Sequence, residues 1–262
     1  MDCLYFRERP ARDLTLLAVH GFLGDRGSLA RVTARVEQGF ARTEALLLPG
    51  HAGSRWDPAW RWDDVVRSMN ERTDAEGNVL VGYSMGARVA LSMLLDAPER
   101  YAGAVLVGVD AGIEDAALRG ERVAWERAMS EAIVREGLEA FGARWEALPV
   151  FESQRALPEA LRRELRARRA QHEPEGVAWA MRALGTGAMP SRWDELSSLR
   201  VPVVLVTGAL DEKFTAIARR MCARSERISA RVIEGVGHDA TIEAPEAVAE
   251  ALQFVREEAG RR

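Results

Sequence analysis

Asn78-Val79-Leu80-Val81-Gly82-Tyr83-Ser84-Met85-Gly86-Ala87-Arg88-Val89-Ala90-Leu91 reads as a short apolar strand, a tight turn and the start of a helix, with a serine on the turn. The β-branched run ahead of Gly82 suits a buried strand, and Ala87 to Leu95 has the composition of a helix. In such a turn the glycines on either side of the serine are there because a Cβ would collide with neighbouring backbone. The serine Oγ is held outward at the strand end, and the Met85 amide at the helix start can face a developing negative charge on oxygen.

Working outward, similar runs recur at Leu14 to Val19, Ala45 to Leu48, Val79 to Val81, Ala104 to Val107, Val201 to Val206 and Ala230 to Ile233. Their hydrophobicity is continuous rather than alternating, which predicts strands covered by helices on both faces. Their alternation with helical stretches predicts a mostly parallel sheet and hence an α/β fold. Between about residues 110 and 190 the strand signals stop, and a charged helical segment carries Trp125, Phe141, Trp145, Phe151, Trp179 and Met181. The expected organisation is one domain, with a core of about 1–109 and 191–262 and a helical cap of about 110–190 that has its own aromatic core.

Composition narrows the partners. At 262 residues with 47% hydrophobic and 29% charged residues, the chain is that of an ordinary globular protein, and no apolar run approaches a membrane span. The stretch from Met1 to Pro10 lacks the apolar segment of a secretory signal, so a cytoplasmic protein is expected. The net charge of -4 and the absence of a basic stripe argue against nucleic acid. Cys3 and Cys222 cannot build a disulfide framework or a zinc site. With no dinucleotide glycine fingerprint either, neither metal nor organic cofactor is expected. Lys213 is the only lysine, every other basic residue being arginine.

A serine hydroxyl needs a base, and the four histidines are His20, His51, His172 and His238. His238 follows the last strand-like run and precedes a helix that begins near Pro245, which makes it the best placed. Asp211 follows the run ending at Val206 and lies between serine and histidine in the chain, where a carboxylate can orient the imidazole and stabilise its protonated form. Ser84, Asp211 and His238 are therefore the candidate catalytic residues. The amide of Phe22, in His20-Gly21-Phe22-Leu23-Gly24 after the first strand, is the expected second oxyanion donor beside Met85. His20 and His51 are expected to order their loops, and His172, in the charged insertion, to be exposed.

With these pieces in place the whole chain resembles an α/β-hydrolase. It is further similar to the 2-succinyl-6-hydroxy-2,4-cyclohexadiene-1-carboxylate synthases of menaquinone biosynthesis. The resemblance is carried by His20 to Gly24, Leu48-Pro49-Gly50-His51-Ala52-Gly53-Ser54, Gly82 to Arg88, Trp145 with Leu148-Pro149-Val150-Phe151, and Gly208-Ala209-Leu210-Asp211-Glu212-Lys213-Phe214. The chain departs from the usual Gly-His-Gly-Gly-Ser pattern at Ala52, and Ala87 stands where a second glycine commonly follows the serine turn.

The resemblance implies a lyase that acts on a small polycarboxylate and expels pyruvate, and a monomer is expected. It implies anion-binding arginines at Arg88, Arg122 and Arg169, with a solvent-facing role as the alternative for Arg122 and Arg169. Tyr83 and Trp145 are candidate substrate contacts that could instead simply pack. Arg88, one helical turn beyond Ser84, would clamp a carboxylate or else belong to an internal salt bridge. A hydrolase of esters or carbon–carbon bonds of small carboxylated substrates is the alternative on the same machinery.

Overall fold

The computed structural model describes residues 14–261, so the expectations for Cys3 and the Met1 to Pro10 stretch lie outside the described residues. Six strands form one parallel sheet: β1 (Thr15–Val19), β2 (Arg42–Leu46), β3 (Asn78–Tyr83), β4 (Tyr101–Val107), β5 (Val203–Gly208) and β6 (Ile228–Ile233), in the order β2-β1-β3-β4-β5-β6. All six predicted runs become strands, with shifted limits. β2 begins at Arg42 because its pairing with β1 starts at Thr15 opposite Arg42, and this half-exposed edge strand needs no apolar side chains there.

The continuous hydrophobicity is divided residue by residue between the two faces of the sheet. Leu17, Val19, Leu80, Leu106 and Leu205 point into one buried cluster, whereas Leu16, Ala18, Val79, Val81, Val105, Val107, Val204 and Val206 point into the other. Side chains alternate along a strand, so both sets must be apolar when both faces are covered. The short α1 (Ala30–Thr33), α2 (Trp62–Glu71), α3 (Met85–Asp96), α7 (Glu212–Cys222), the short α8 (Ala240–Glu243) and α9 (Pro245–Gly260) supply the covering layers.

Between β4 and β5 lie the helices α4 (Ala116–Glu146), α5 (Glu159–Arg169) and α6 (Pro174–Ala183). α4 changes direction at Gly137, whose φ of 79° and ψ of 167° are not helical. Ile133, Phe141, Val177 and Met181 pack there with Leu23, Trp125 and Trp145 beside them. Trp179 corrects one expectation: instead of joining this aromatic group it packs into the sheet-side core, stacked on Trp56 with ring centroids 5.5 Å apart. Its helix therefore fastens the insertion to the main body.

The order of strands reverses between β1 and β3, since the chain runs from β1 outward to β2 and returns on the other side. Loops leaving such neighbouring strands diverge to opposite sides and open a crevice at the carboxyl ends of the sheet. Phe22 and Ser84 stand on those two loops.

Candidate active site

Ser84 sits at φ 50° and ψ −110° between β3 and α3. For a residue with a Cβ this is a strained conformation, costing about 1–3 kcal/mol. The turn can be this tight because Gly86 has no side chain: a Cβ there would come within 2.2 Å of the His20 carbonyl oxygen. The same close approach holds the starts of the loops after β1 and β3 side by side before they diverge, so Phe22 and Met85 border one crevice. Among the described residues neither of their amides is engaged by a turn or cap carbonyl.

The loops after β5 and β6 deliver the other two groups. His238 Nε2 lies 3.2 Å from Ser84 Oγ, and His238 Nδ1 lies 2.7 Å from Asp211 Oδ2. Asp211 is itself fixed, because its Oδ1 accepts the Phe214 amide at 3.2 Å and caps α7. Gly208 permits the two loops to touch, since a Cβ there would meet the Val236 carbonyl oxygen at 2.0 Å. The Phe214 ring, 4.5 Å from the imidazole centroid, limits the ring's movement. This arrangement can take a proton from Ser84 Oγ and hold the resulting imidazolium beside a carboxylate.

Above the three residues lies a cavity of about 740 Å³, lined by Phe22, Ser84, Met85, Asp211 and His238 from the core and by Trp125, Trp145 and Phe151 from the insertion. Arg88, Arg122 and Lys213 bring positive charge to its wall. Arg88 is only 7% exposed, yet makes no ion pair among the described residues, and its one protein acceptor is the Leu184 carbonyl at 3.2 Å. The alternative of an internal salt bridge therefore finds no partner among the described residues. Burial lowers the Arg88 guanidinium to about 10, the nearby Glu126 offsetting this in part, so it remains charged at neutral pH. Arg122 lies over Trp125, and its Nε donates to Glu126 Oε1 at 2.6 Å.

Tyr83 and Arg169 are not brought into this cavity. They line a separate recess of about 60 Å³ that shares the Phe22, Trp145 and Phe151 rings as its partition. Arg169 is paired with Glu146. Burial raises the Tyr83 phenol well above its usual range, with the Asp239 carboxylate adding to the shift. The expectation that His172 is exposed is also corrected. It is 5% exposed, its Nδ1 accepts the Ala52 amide at 2.9 Å, and its ring meets that of His51 edge to face, which in turn meets His20. A residue of the insertion thus closes a histidine cluster whose other members belong to the core.

Two acids that no sequence motif marks, Asp110 and Glu126, also line the cavity. Asp110 lies three residues past the end of β4, so the strand-end logic that selected Asp211 applies to it equally. Glu126 stands four residues after Arg122, the spacing of a helical ion pair, and is 2% exposed.

Residues 16–251 match the alpha/beta hydrolase family. The chain is 32% identical over 244 residues to the 2-succinyl-6-hydroxy-2,4-cyclohexadiene-1-carboxylate synthase of Salmonella paratyphi C, covering 91% of this chain and 92% of that protein. It is 30% identical over 247 residues to a Bacillus subtilis protein assigned to the same synthase, covering 91% and 88% respectively. The solved structure of MenH from S. aureus superposes with a TM-score of 0.85 at 28% identity, covering 94% of this chain and 95% of that one.

Proposed function

Because the chain belongs to the alpha/beta hydrolase family and, within it, to the 2-succinyl-6-hydroxy-2,4-cyclohexadiene-1-carboxylate synthases, we propose that it is a lyase of menaquinone biosynthesis. It eliminates pyruvate from 2-succinyl-5-enolpyruvyl-6-hydroxy-3-cyclohexene-1-carboxylate. His238 takes the Ser84 proton, Asp211 stabilises the imidazolium, and the Ser84 oxyanion removes the ring proton next to the succinyl carbonyl. That C–H bond breaks as negative charge moves onto the carbonyl oxygen, where the Phe22 and Met85 amides receive it. Collapse of the enolate breaks the ring C–O bond, and the departing enolpyruvate gains a proton to become pyruvate. No water is consumed.

The observation that carries this reading is Arg88: a buried guanidinium beside the nucleophile with a single backbone acceptor among the described residues. A cation desolvated to this degree calls for an anion, and a planar fork of donors suits a carboxylate. An esterase pocket for neutral substrates has no use for it. Arg122 and Trp145 extend the same wall, while Tyr83 and Arg169 would serve the substrate through the adjoining recess. Among the described residues no helix is long and apolar enough to cross a membrane, and we take the enzyme to work as a cytoplasmic monomer on this small polycarboxylate.

The deciding experiment incubates purified protein with the enolpyruvyl substrate and follows pyruvate in a coupled assay, alongside a neutral p-nitrophenyl ester. Rapid pyruvate release with negligible ester turnover is expected. Ordinary ester hydrolysis without pyruvate release would reassign the site to a hydrolase.

A further inference from the structure

One acid in the cavity has no part in the elimination. Asp110 leaves the end of β4, is 9% exposed and lines the cavity with Arg88. Its Oδ1 accepts the Gly112 amide at 2.9 Å, which fixes the side chain, while no protein donor among the described residues reaches Oδ2. Glu126, the neighbouring buried acid, differs: Oε1 accepts from Arg122 Nε and the Thr186 amide, and Oε2 from the Gly187 amide. Glu126 is spent on structure, whereas Asp110, which lines the cavity, keeps one oxygen without a protein donor among the described residues.

Such an oxygen is unfavourable on two counts in a site for a polyanion. The carboxyl as a whole is largely buried, and it repels the ligand's carboxylates. Burial accordingly raises the Asp110 carboxyl, against the pull of Arg88, Lys213 and Arg122. Arg88 is near enough to act on Asp110 electrostatically, yet the two form no ion pair. A ligand group that joins them must offer an acceptor to the guanidinium and a donor to the carboxylate from adjacent atoms. A carboxylate next to a hydroxyl does this. The relatives' product is a 6-hydroxy-cyclohexadiene-1-carboxylate, in which those groups occupy neighbouring ring carbons.

We propose that Asp110 is a specificity-determining residue whose Oδ2 accepts the ring hydroxyl of the substrate while Arg88 holds the adjacent ring carboxylate. The inference rests on the lyase reading of the same cavity. It gives the substrate a fixed orientation: the hydroxy-acid edge lies toward β4 and α3, which turns the remaining ring carbons toward Ser84. Both groups survive the elimination, so the contact orients the ring without taking part in bond breaking.

The test measures pyruvate release from the enolpyruvyl substrate and from its 6-deoxy counterpart by the native enzyme, Asp110→Ala and Asp110→Asn. Native enzyme is expected to prefer the hydroxylated substrate in kcat/KM by about tenfold or more, the usual effect of a charge-assisted hydrogen bond. Asp110→Ala should abolish that preference by losing activity on the hydroxylated substrate alone. Asp110→Asn retains an oxygen for the Gly112 amide, and with an unchanged Tm it should still lose most of the preference.

A preference that persists in both variants, an equal loss on both substrates, or no preference in the native enzyme overturns the assignment. Pyruvate release by native enzyme with an unaltered preference in the variants defeats this inference alone. No release from either substrate by native enzyme removes the lyase reading and this inference with it.

Discussion

Ser84, Asp211 and His238 stand on loops that leave strands of one sheet, whereas Arg122, Trp145 and Arg169 stand on helices that reach the site only through packing. In the first region the backbone fixes the outcome. Ser84 is trapped at a positive φ, and the loop to His238 touches the one to Asp211 where a side chain on Gly208 would collide. In the second region a rotation of one helix would exchange one arginine for another, and Arg169 accordingly pairs with Glu146 and lines the recess instead of the main cavity. Strand-end chemistry is thus set locally, and cap chemistry is set by assembly.

The largest expected effect breaks the first region. Ser84→Ala, His238→Ala and Asp211→Asn should each lower kcat for pyruvate release by about three orders of magnitude or more. Tm should stay within a few degrees, because none of the three side chains fills the hydrophobic core. A variant with near-native turnover would remove that residue from the catalytic set.

This difference between regions also explains what the sequence could disclose. Six apolar runs and a Gly-Tyr-Ser-Met-Gly turn determine the sheet, its helical cover and the three strand-end residues, because each signal is contained within a few neighbours. Asp110 was legible by the same rule and needed only that the rule be applied to β4. His172 was not: its burial depends on α5 and α6 docking over the His51 loop, and nothing in the charged segment around it encodes that contact. Likewise the charged start of β2 carries no apolar signal, being set by pairing with β1.

The histidine joint between the two regions supplies the next prediction. His20 is pushed down to about 4 by burial, Asp25 and Arg26 acting on it with opposite signs, and His51 and His172 are lowered as well. All three are neutral at pH 7 in the folded state, and each binds protons more readily when unfolded. Their neutrality therefore costs nothing above the unfolded value near 6.5, and stability is lost as pH falls from there toward 4. His20 alone accounts for roughly 3 kcal/mol across that window. Asp239, raised to about 6 by burial, acts in the opposite sense over the same range, so the variant comparison is the cleaner measurement. Thermal melts from pH 7 to 4.5 should show a shallower acid-side fall in His172→Gln than in the native protein, and coincident slopes would dismiss the joint as a pH-sensitive contact.

Smaller in magnitude is the contrast between arginines. Arg88→Ala should lower kcat/KM at least about tenfold, consistent with the roughly 1.5–3 kcal/mol of a charge-assisted hydrogen bond. Arg88→Lys should do nearly as poorly, since an ammonium keeps the charge but not the planar fork. Arg169→Ala should cost less, because in this structure its charge is already committed to Glu146. A large fall in Tm with normal turnover for Arg88→Ala would make that residue structural, and an Arg169→Ala defect exceeding that of Arg88→Ala would move the anion site into the recess.

The smallest effect concerns Ala52, where the core loop meets the cap. Ala52 holds a φ of 47° in a turn whose flanking Gly50 and Gly53 are also at positive φ, and its amide donates to His172 Nδ1. A left-handed conformation costs a residue with a Cβ about 1 kcal/mol or more, and glycine escapes that cost. Glycine also loses more freedom on folding, by about 0.4–1 kcal/mol, which offsets part of the gain. Ala52→Gly should therefore raise stability by a few tenths to about 1 kcal/mol, seen as a rise in Tm of up to about 4 °C for a chain of this size. Activity should be unchanged, because the amide that meets His172 remains. A fall in Tm would mean that the Ala52 methyl group stabilises the contact between core and cap by more than the backbone strain it causes.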